Sequence, residues 1–206
     1  MDNNHYRVRL TFTEDLLASS PANPEVYTEF IASKKPASED VQDEVETLLA
    51  NQKAEEAGWS VFHSDDQGLF LFDYHVKGFL KEAASAITGK VLTAYKSKID
   101  RFVFIFPRRI YLRQSSGEII KKAPYQIERP VRAMTARGPR TTVKRSDAVP
   151  AGTYLEFTVS VLPLGAKEIT REILTTWFDY GQLMGLGEWR SASYGRFATI
   201  MEMRAA

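Results

Sequence analysis

This sequence predicts an α+β fold on a βαββαβ core, and three observations predict it. Strand patterns near the two ends of the chain alternate apolar and polar residues, so each has one face to bury. Two further segments place apolar residues three and four apart, as helices with one buried stripe do. These elements follow one another in the order strand, helix, strands, helix, strand. At 206 residues, 44% of them apolar and 26% charged, the chain has the ordinary composition of a globular protein, and we expect one domain over residues 1–206.

The elements are justified in order. Tyr6 to Phe12 alternates β-branched and aromatic residues with polar ones and reads as the first strand. Asn23 before Pro24 and Glu25 is an N-cap arrangement, predicting a short helix to about Ser33 that Pro36 ends. Ser38-Glu39-Asp40 opens a second helix to about Glu56, with Val41, Val45, Leu48 and Leu49 at helical spacing and Gly58 closing it. Residues 14–57 therefore read as an acidic helical insertion, since two short helices bury too little to stand alone. Trp59–His63 and Leu69–Tyr74 flank Ser64-Asp65-Asp66-Gln67-Gly68, the signal of a hairpin. Lys77 to Ile87 places Leu80, Ala83, Ala84 and Ile87 on one helical stripe. Phe102–Phe106 reads as a strand buried on both faces, continuing past Pro107 to Leu112 with Arg108 and Arg109 outward. From Ser115 to Pro150 the residues Pro, Gly, Arg, Lys and Thr recur without a period, which predicts a long basic loop excursion containing short strands. Thr153–Leu162 is the clearest alternating strand. Glu168–Gly181 is a helix with Ile169, Ile173, Leu174, Trp177 and Phe178 inward, and Phe197–Met203 is the last strand. Reduced to its core, this is the ferredoxin-like or RNA-recognition-motif topology.

The net charge of +1 conceals a separation along the chain. Residues 14–66 hold thirteen acids against three lysines, whereas residues 101–145 hold twelve cations against Glu118 and Glu128. A basic block of this size needs a polyanion or an acidic partner, which the chain's own acidic block can also supply. The absence of cysteine excludes disulfides, thiol nucleophiles and cysteine-held metals, and three scattered histidines make a zinc site poor chemistry. No cofactor or metal is expected. No apolar run approaches bilayer length and the N-terminus has no leader pattern, so a soluble, cytoplasmic protein without membrane contact is expected.

The segment from Met184 to Phe197 sets Gly185, Gly187 and Gly195 among Trp189, Arg190, Tyr194 and Arg196, between a helix and the final strand. Its glycines can take positive φ, and clustered backbone N–H groups beside two arginines suit a phosphate; the same composition also makes a tight turn. Trp189 and Tyr194 can stack on bases or belong to the core. Arg132, Arg137, Arg140, Lys144 and Arg145, clustered around Gly138-Pro139, are the leading backbone-contact group. His5, His63 and His75 could serve as acid-base groups, but nothing in the sequence pairs them with a catalytic partner. Asp65, Asp66 and Asp73 could bind a metal, yet Asp-Asp-Gln-Gly is chiefly a turn composition.

Three separated segments resemble the RAMP superfamily, the repeat-associated proteins that build CRISPR effector complexes, and above all its crRNA-backbone subunits. Tyr6–Leu17 resembles the family's opening strand and following loop, and Val76–Ala84 its small-residue turn into a helix of Leu-Lys-Gly type. Gly185-Leu186-Gly187 with Tyr194–Phe197 resembles its C-terminal glycine-rich loop, after a helix and after Val149–Thr153 leading into a strand. The resemblance implies a subunit that grips nucleic acid by its backbone without reading sequence, as in a head-to-tail filament; Lys81, where a family lysine often approaches RNA, and Lys77 are candidate contacts, a solvated helix face being the alternative. The chain departs from the family in its acidic insertion, in Ala18-Ser19-Ser20 where Gly-Ser is usual, and in lacking a recognisable cleavage aspartate, Asp15 being too near the strand. The expected function is non-catalytic binding of single-stranded RNA, or single-stranded DNA, by a homo-oligomer or with other complex subunits. Two alternatives stay open: an interaction module from a phage or mobile element that mimics or caps such a complex through its acidic helices, and an RNA-processing endonuclease using a histidine.

Overall fold

The computed structural model describes residues 4–23, 25–27, 58–88, 92–135 and 138–203. Its centre is a four-stranded antiparallel sheet of β1 (Asn4–Phe12), β7 (Val103–Phe106), β11 (Tyr154–Val161) and β12 (Phe197–Met203), in the order β12-β1-β11-β7. With the helix Asp73–Ala83 before β7 and Arg171–Asp179 before β12, this is the predicted ferredoxin-like α+β core. In β1, Tyr6, Val8, Leu10 and Phe12 point inward, as do Leu155, Phe157, Val159 and Val161 in β11, so the alternation read from the sequence sets the register.

Around this sheet lie β2 (Leu16–Leu17), β3 (Ser20–Pro21), β4 (Trp59–Val61), β5 (His63–Asp65) and β6 (Gly68–Phe72). The three longest helices among the described residues are α1 (Asp73–Ala83), α2 (Tyr95–Phe102) and α3 (Arg171–Asp179), and β8 (Arg109–Tyr111), β9 (Tyr125–Thr135) and β10 (Gly138–Val149) complete the strands. Helix α1 buries Val76, Phe79, Leu80 and Ala83, an i, i+3, i+4, i+7 stripe, and α3 buries Leu174, Trp177 and Phe178. The two helices meet the sheet through rings: Phe79 lies 5.2 Å from Phe197 and 6.4 Å from Phe178, which lies 6.1 Å from Phe157. Thr170 caps α3 by accepting the Ile173 N–H.

Several expectations change. Helix α1 starts at Asp73, four residues before the predicted Lys77, because Asp73 suits a first helical turn better than the end of a strand. The hairpin is His63–Asp65 against Gly68–Phe72, while Trp59–Val61 pairs with β3 and β10 instead. Asp65 Oδ1 closes the turn by accepting the Gln67 and Gly68 N–H groups at 2.9 and 3.2 Å, as the turn composition implied. β7 is buried on one face only: Val103 and Ile105 face the core, and Phe104 and Phe106 face out on an edge strand. Helix α2 was not predicted, for its single fully buried residue, Ile99, writes no periodic pattern.

The largest correction concerns the basic loop excursion. Residues 125–135 and 138–149 pair along one long antiparallel ladder, with Tyr125 opposite Ala148 and Thr135 opposite Gly138. Near its base β10 also pairs with β2 and β4, but from Gly138 to Lys144 its one partner strand among the described residues is β9, so the distal part is a two-stranded arm. Pro130 is tolerated because β9 is an edge strand.

Asn23 caps the helix beginning at Glu25 as predicted, its Oδ1 accepting the Glu25 and Val26 N–H groups at 2.9 and 3.3 Å. The predicted helix 38–56, and with it most of the acidic insertion, lies outside the described residues. Tyr27 meets the body through its hydroxyl, 3.2 Å from that of Tyr74.

His63 and His75, unrelated by sequence spacing, come together with ring centroids 6.2 Å apart. His63 is buried and hydrogen-bonds Ser20 Oγ at 3.0 Å through Nε2, which ties β3 to β5. Burial lowers the His75 pKa from 6.5 to about 4. A histidine held neutral in the fold contributes stability above its unfolded pKa and loses it as the pH falls through the folded value. Stability is therefore expected to fall between pH 6.5 and about 4 by roughly 3 kcal/mol from this group alone. Thermal midpoints of the protein and of His75→Leu across that range check this: the variant should show the shallower fall.

Candidate nucleic-acid interface

The loop between α3 and β12 is built on close backbone approaches. Gly195 has φ +70°, and a Cβ there would lie 1.8 Å from the Leu186 carbonyl oxygen; Gly187 has φ +80°, and its Cβ would lie 2.3 Å from the Leu17 carbonyl oxygen. Leu186 N–H donates to Gly195 O at 2.9 Å, Gly195 N–H to Asp15 O at 2.8 Å, and Glu188 N–H to Leu17 O at 3.2 Å. Gly185 N–H donates to Gly181 O at 3.0 Å. The expected cluster of amides facing a phosphate is thus corrected: the Gly185 and Gly195 amides are used internally, and these glycines let the loop close against itself and the segment after β1.

That closure displays the loop's side chains. Trp189, at φ +56°, stacks on Tyr194 with centroids 5.3 Å apart and planes 14° apart, and the Arg129 guanidinium lies 3.9 Å from the indole centroid. Tyr125 hydrogen-bonds the Asp15 carboxylate, and burial together with that charge raises its pKa. Where the base of the arm meets the glycine loop, Arg129, Lys144, Trp189 and Tyr194 thus come together, with Tyr125 at their margin. The hairpin itself carries six cations against Glu128 and Asp147.

Internal acids hold many of the cations. Arg190 pairs with Glu82 at 2.6 Å, Arg145 with Glu128 at 2.6 Å, and Lys144 with Glu188; Arg196 Nε donates to the Leu183 carbonyl at 3.0 Å. On α1, Lys81 pairs with Asp100 at 2.6 Å and Lys77 donates to the Asp100 carbonyl at 3.2 Å, with burial lowering the Lys77 pKa. Arg109 pairs with Asp65 at 2.9 Å. Arg108 accepts the Asp73 N–H through its carbonyl at the first turn of α1, whereas Glu82, the partner of Arg190, is in the last. Those helix ends are about 13 Å apart, and near the first of them Arg108 lies over the Phe72 ring and Arg109 over that of Phe70.

Arg132 is exposed on the arm, Arg140 lies on β10, and Arg137 falls outside the described residues. Sequence reasoning did not single out Arg129, Glu188 or Tyr125. Placing the chain reversal between Thr135 and Gly138 would have set Arg129 opposite Lys144, with Gly138 the turn signal that the sequence did contain.

Among the described residues no helix is long and apolar enough to cross a membrane, and no three acidic or histidine side chains are grouped to hold a metal. No family model and no curated protein matches the chain. Among solved structures it is similar to a chain in the cryo-EM structure of the Type III-B Cmr-beta complex bound to cognate target RNA. That similarity has 11% identity and a TM-score of 0.46, and covers 98% of this chain and 59% of that one. It is also similar to a chain of a Type IV-B CRISPR complex, at 10% identity and a TM-score of 0.49, covering 98% of this chain and 93% of that one. The chain therefore spans about three fifths of the length of the first of these chains.

Proposed function

We propose that the protein binds single-stranded RNA by its backbone, without cutting it, as an oligomer or as a subunit of a CRISPR-type assembly. The observation that carries this is the junction of a basic two-stranded arm with the Arg129, Trp189 and Tyr194 stack, which sets phosphate-binding cations beside rings that can take a base. The motif resemblance of the opening strand and glycine loop supports the same reading. The arm grips phosphates and the rings hold bases without selecting them. In an assembly, the acidic insertion of one copy meets the basic arm of the next.

Charge reversal on the arm tests this. Arg132→Glu with Arg137→Glu and Arg140→Glu is expected to weaken binding at 0.1 M salt at least tenfold and to lower the salt slope by about 1 for each phosphate the arm no longer holds. Unchanged affinity and unchanged assembly in the folded variant would contradict the arm assignment. One observation favours a second reading, protein docking through the acidic helices: Arg145, Lys144, Arg190 and Lys81 all pair with acids of this chain. That reading expects no RNA binding at low salt and capture of a basic protein surface.

A further inference from the structure

Arg129 on β9 and Lys144 on β10 are direct partners in the hairpin register, with Ser146 two residues on from Lys144 and therefore on the same face. Two cations directly opposite in a ladder repel unless an anion lies between them. Here the anion is Glu188 from the glycine loop. Its carboxylate pairs with Lys144, accepts the Ser146 hydroxyl at 2.7 Å and lies 3.9 Å from Arg129 Nη2. The group is well shielded, with the Arg129 side chain 13% exposed and that of Glu188 17%. The carboxylate does not satisfy the cradle, because Arg129 Nε is buried with no hydrogen-bond partner among the described residues.

We propose that Arg129, Lys144 and Ser146 form a phosphate site that Glu188 fills in the free protein and yields to a backbone phosphodiester. A phosphodiester brings the same single negative charge as the carboxylate it displaces, so the charge balance between the two cations and their anion is unchanged. Its two non-bridging oxygens can meet Lys144, Ser146 and the Arg129 fork, including the unpaired Nε. The Glu188 backbone is anchored to Leu17, so the exchange needs only a side-chain rotation and leaves the loop in place. Trp189, next in sequence and in contact with Arg129, puts a ring beside the phosphate. In its nucleic-acid form this inference rests on the RNA-binding reading, and it makes Glu188 an internal competitor that weakens binding.

The test compares the full chain with Glu188→Gln, which keeps the shape and an acceptor for Ser146 but removes the charge. Labelled single-stranded RNA is titrated across a salt series. In parallel, thermal midpoints are taken in inorganic phosphate and in chloride at equal ionic strength. E188Q is expected to bind RNA roughly five- to thirtyfold more tightly, with a salt slope steeper by about 1. Phosphate is expected to raise its midpoint by more than it raises that of the unsubstituted protein, and adding Lys144→Gln should cancel both gains. An E188Q that binds RNA no more tightly and gains nothing from phosphate, or that fails to fold, overturns the proposal and leaves Glu188 a strap between loop and arm. If neither protein binds RNA while phosphate still favours E188Q selectively, the phosphate site stands and the RNA reading fails.

Discussion

Gly195→Ala is expected to lower the thermal midpoint by roughly 5–15 °C. Two effects add. Gly195 sits at φ +70°, where a side chain strains the backbone by about 1–3 kcal/mol, and its Cβ would meet the Leu186 carbonyl oxygen at 1.8 Å. Relieving that overlap moves main chain on both sides of the loop, an overpacking cost of about 1–3 kcal/mol more, and a protein of this size loses about 2–4 °C per kcal/mol. Gly78→Ala is the control, since an added Cβ there has no atom within 4 Å and the residue lies inside α1, where alanine is favoured by about 0.5–1 kcal/mol. A Gly195→Ala midpoint within about 2 °C of the parent would mean that the loop does not close on itself as described.

Trp189→Ala is expected to carry the largest effect on binding, a reduction of roughly ten- to a hundredfold in affinity for single-stranded RNA with the salt slope unchanged. A stacked base contributes about 1–3 kcal/mol and involves no counterion release, so removing the stack lowers affinity equally at every salt concentration. Trp189→Phe should recover much of the affinity, because a smaller ring still offers a face. A purely structural role for Trp189 would instead lower the thermal midpoint and leave the affinity of the folded fraction unaltered. The Arg129 guanidinium, 3.9 Å from the indole centroid, makes the two residues a coupled pair, and replacing both should cost less than the sum of the two single replacements.

The core could be read from the sequence wherever an element has one buried face. Tyr6, Val8, Leu10 and Phe12 write their register directly, as do Leu155 to Val161 and the stripes of α1 and α3. The arm could not, because over its distal half each strand pairs, among the described residues, only with the other and no apolar alternation marks a buried face, while Pro130, Gly138 and Pro139 read as breakers. Phe104 and Phe106 misled for the opposite reason: an edge strand with apolar residues on both faces looks the same in sequence as a central buried one. At the site, the glycines and the Trp189 and Tyr194 rings were readable as local composition. The tertiary pairings were not, since Arg190 finds Glu82 across 108 residues and Glu188 meets Lys144 and Arg129 only once the hairpin docks.

Equilibrium binding of labelled single-stranded RNA and DNA of one sequence across a salt series, with the strands checked on a gel afterwards, tests whether this surface holds nucleic acid through its backbone. The expected result is tight binding of intact RNA whose logarithmic affinity falls linearly with the logarithm of salt concentration, at a slope close to the number of phosphates gripped. Absence of binding at low salt would contradict it and turn attention to protein partners of the acidic insertion.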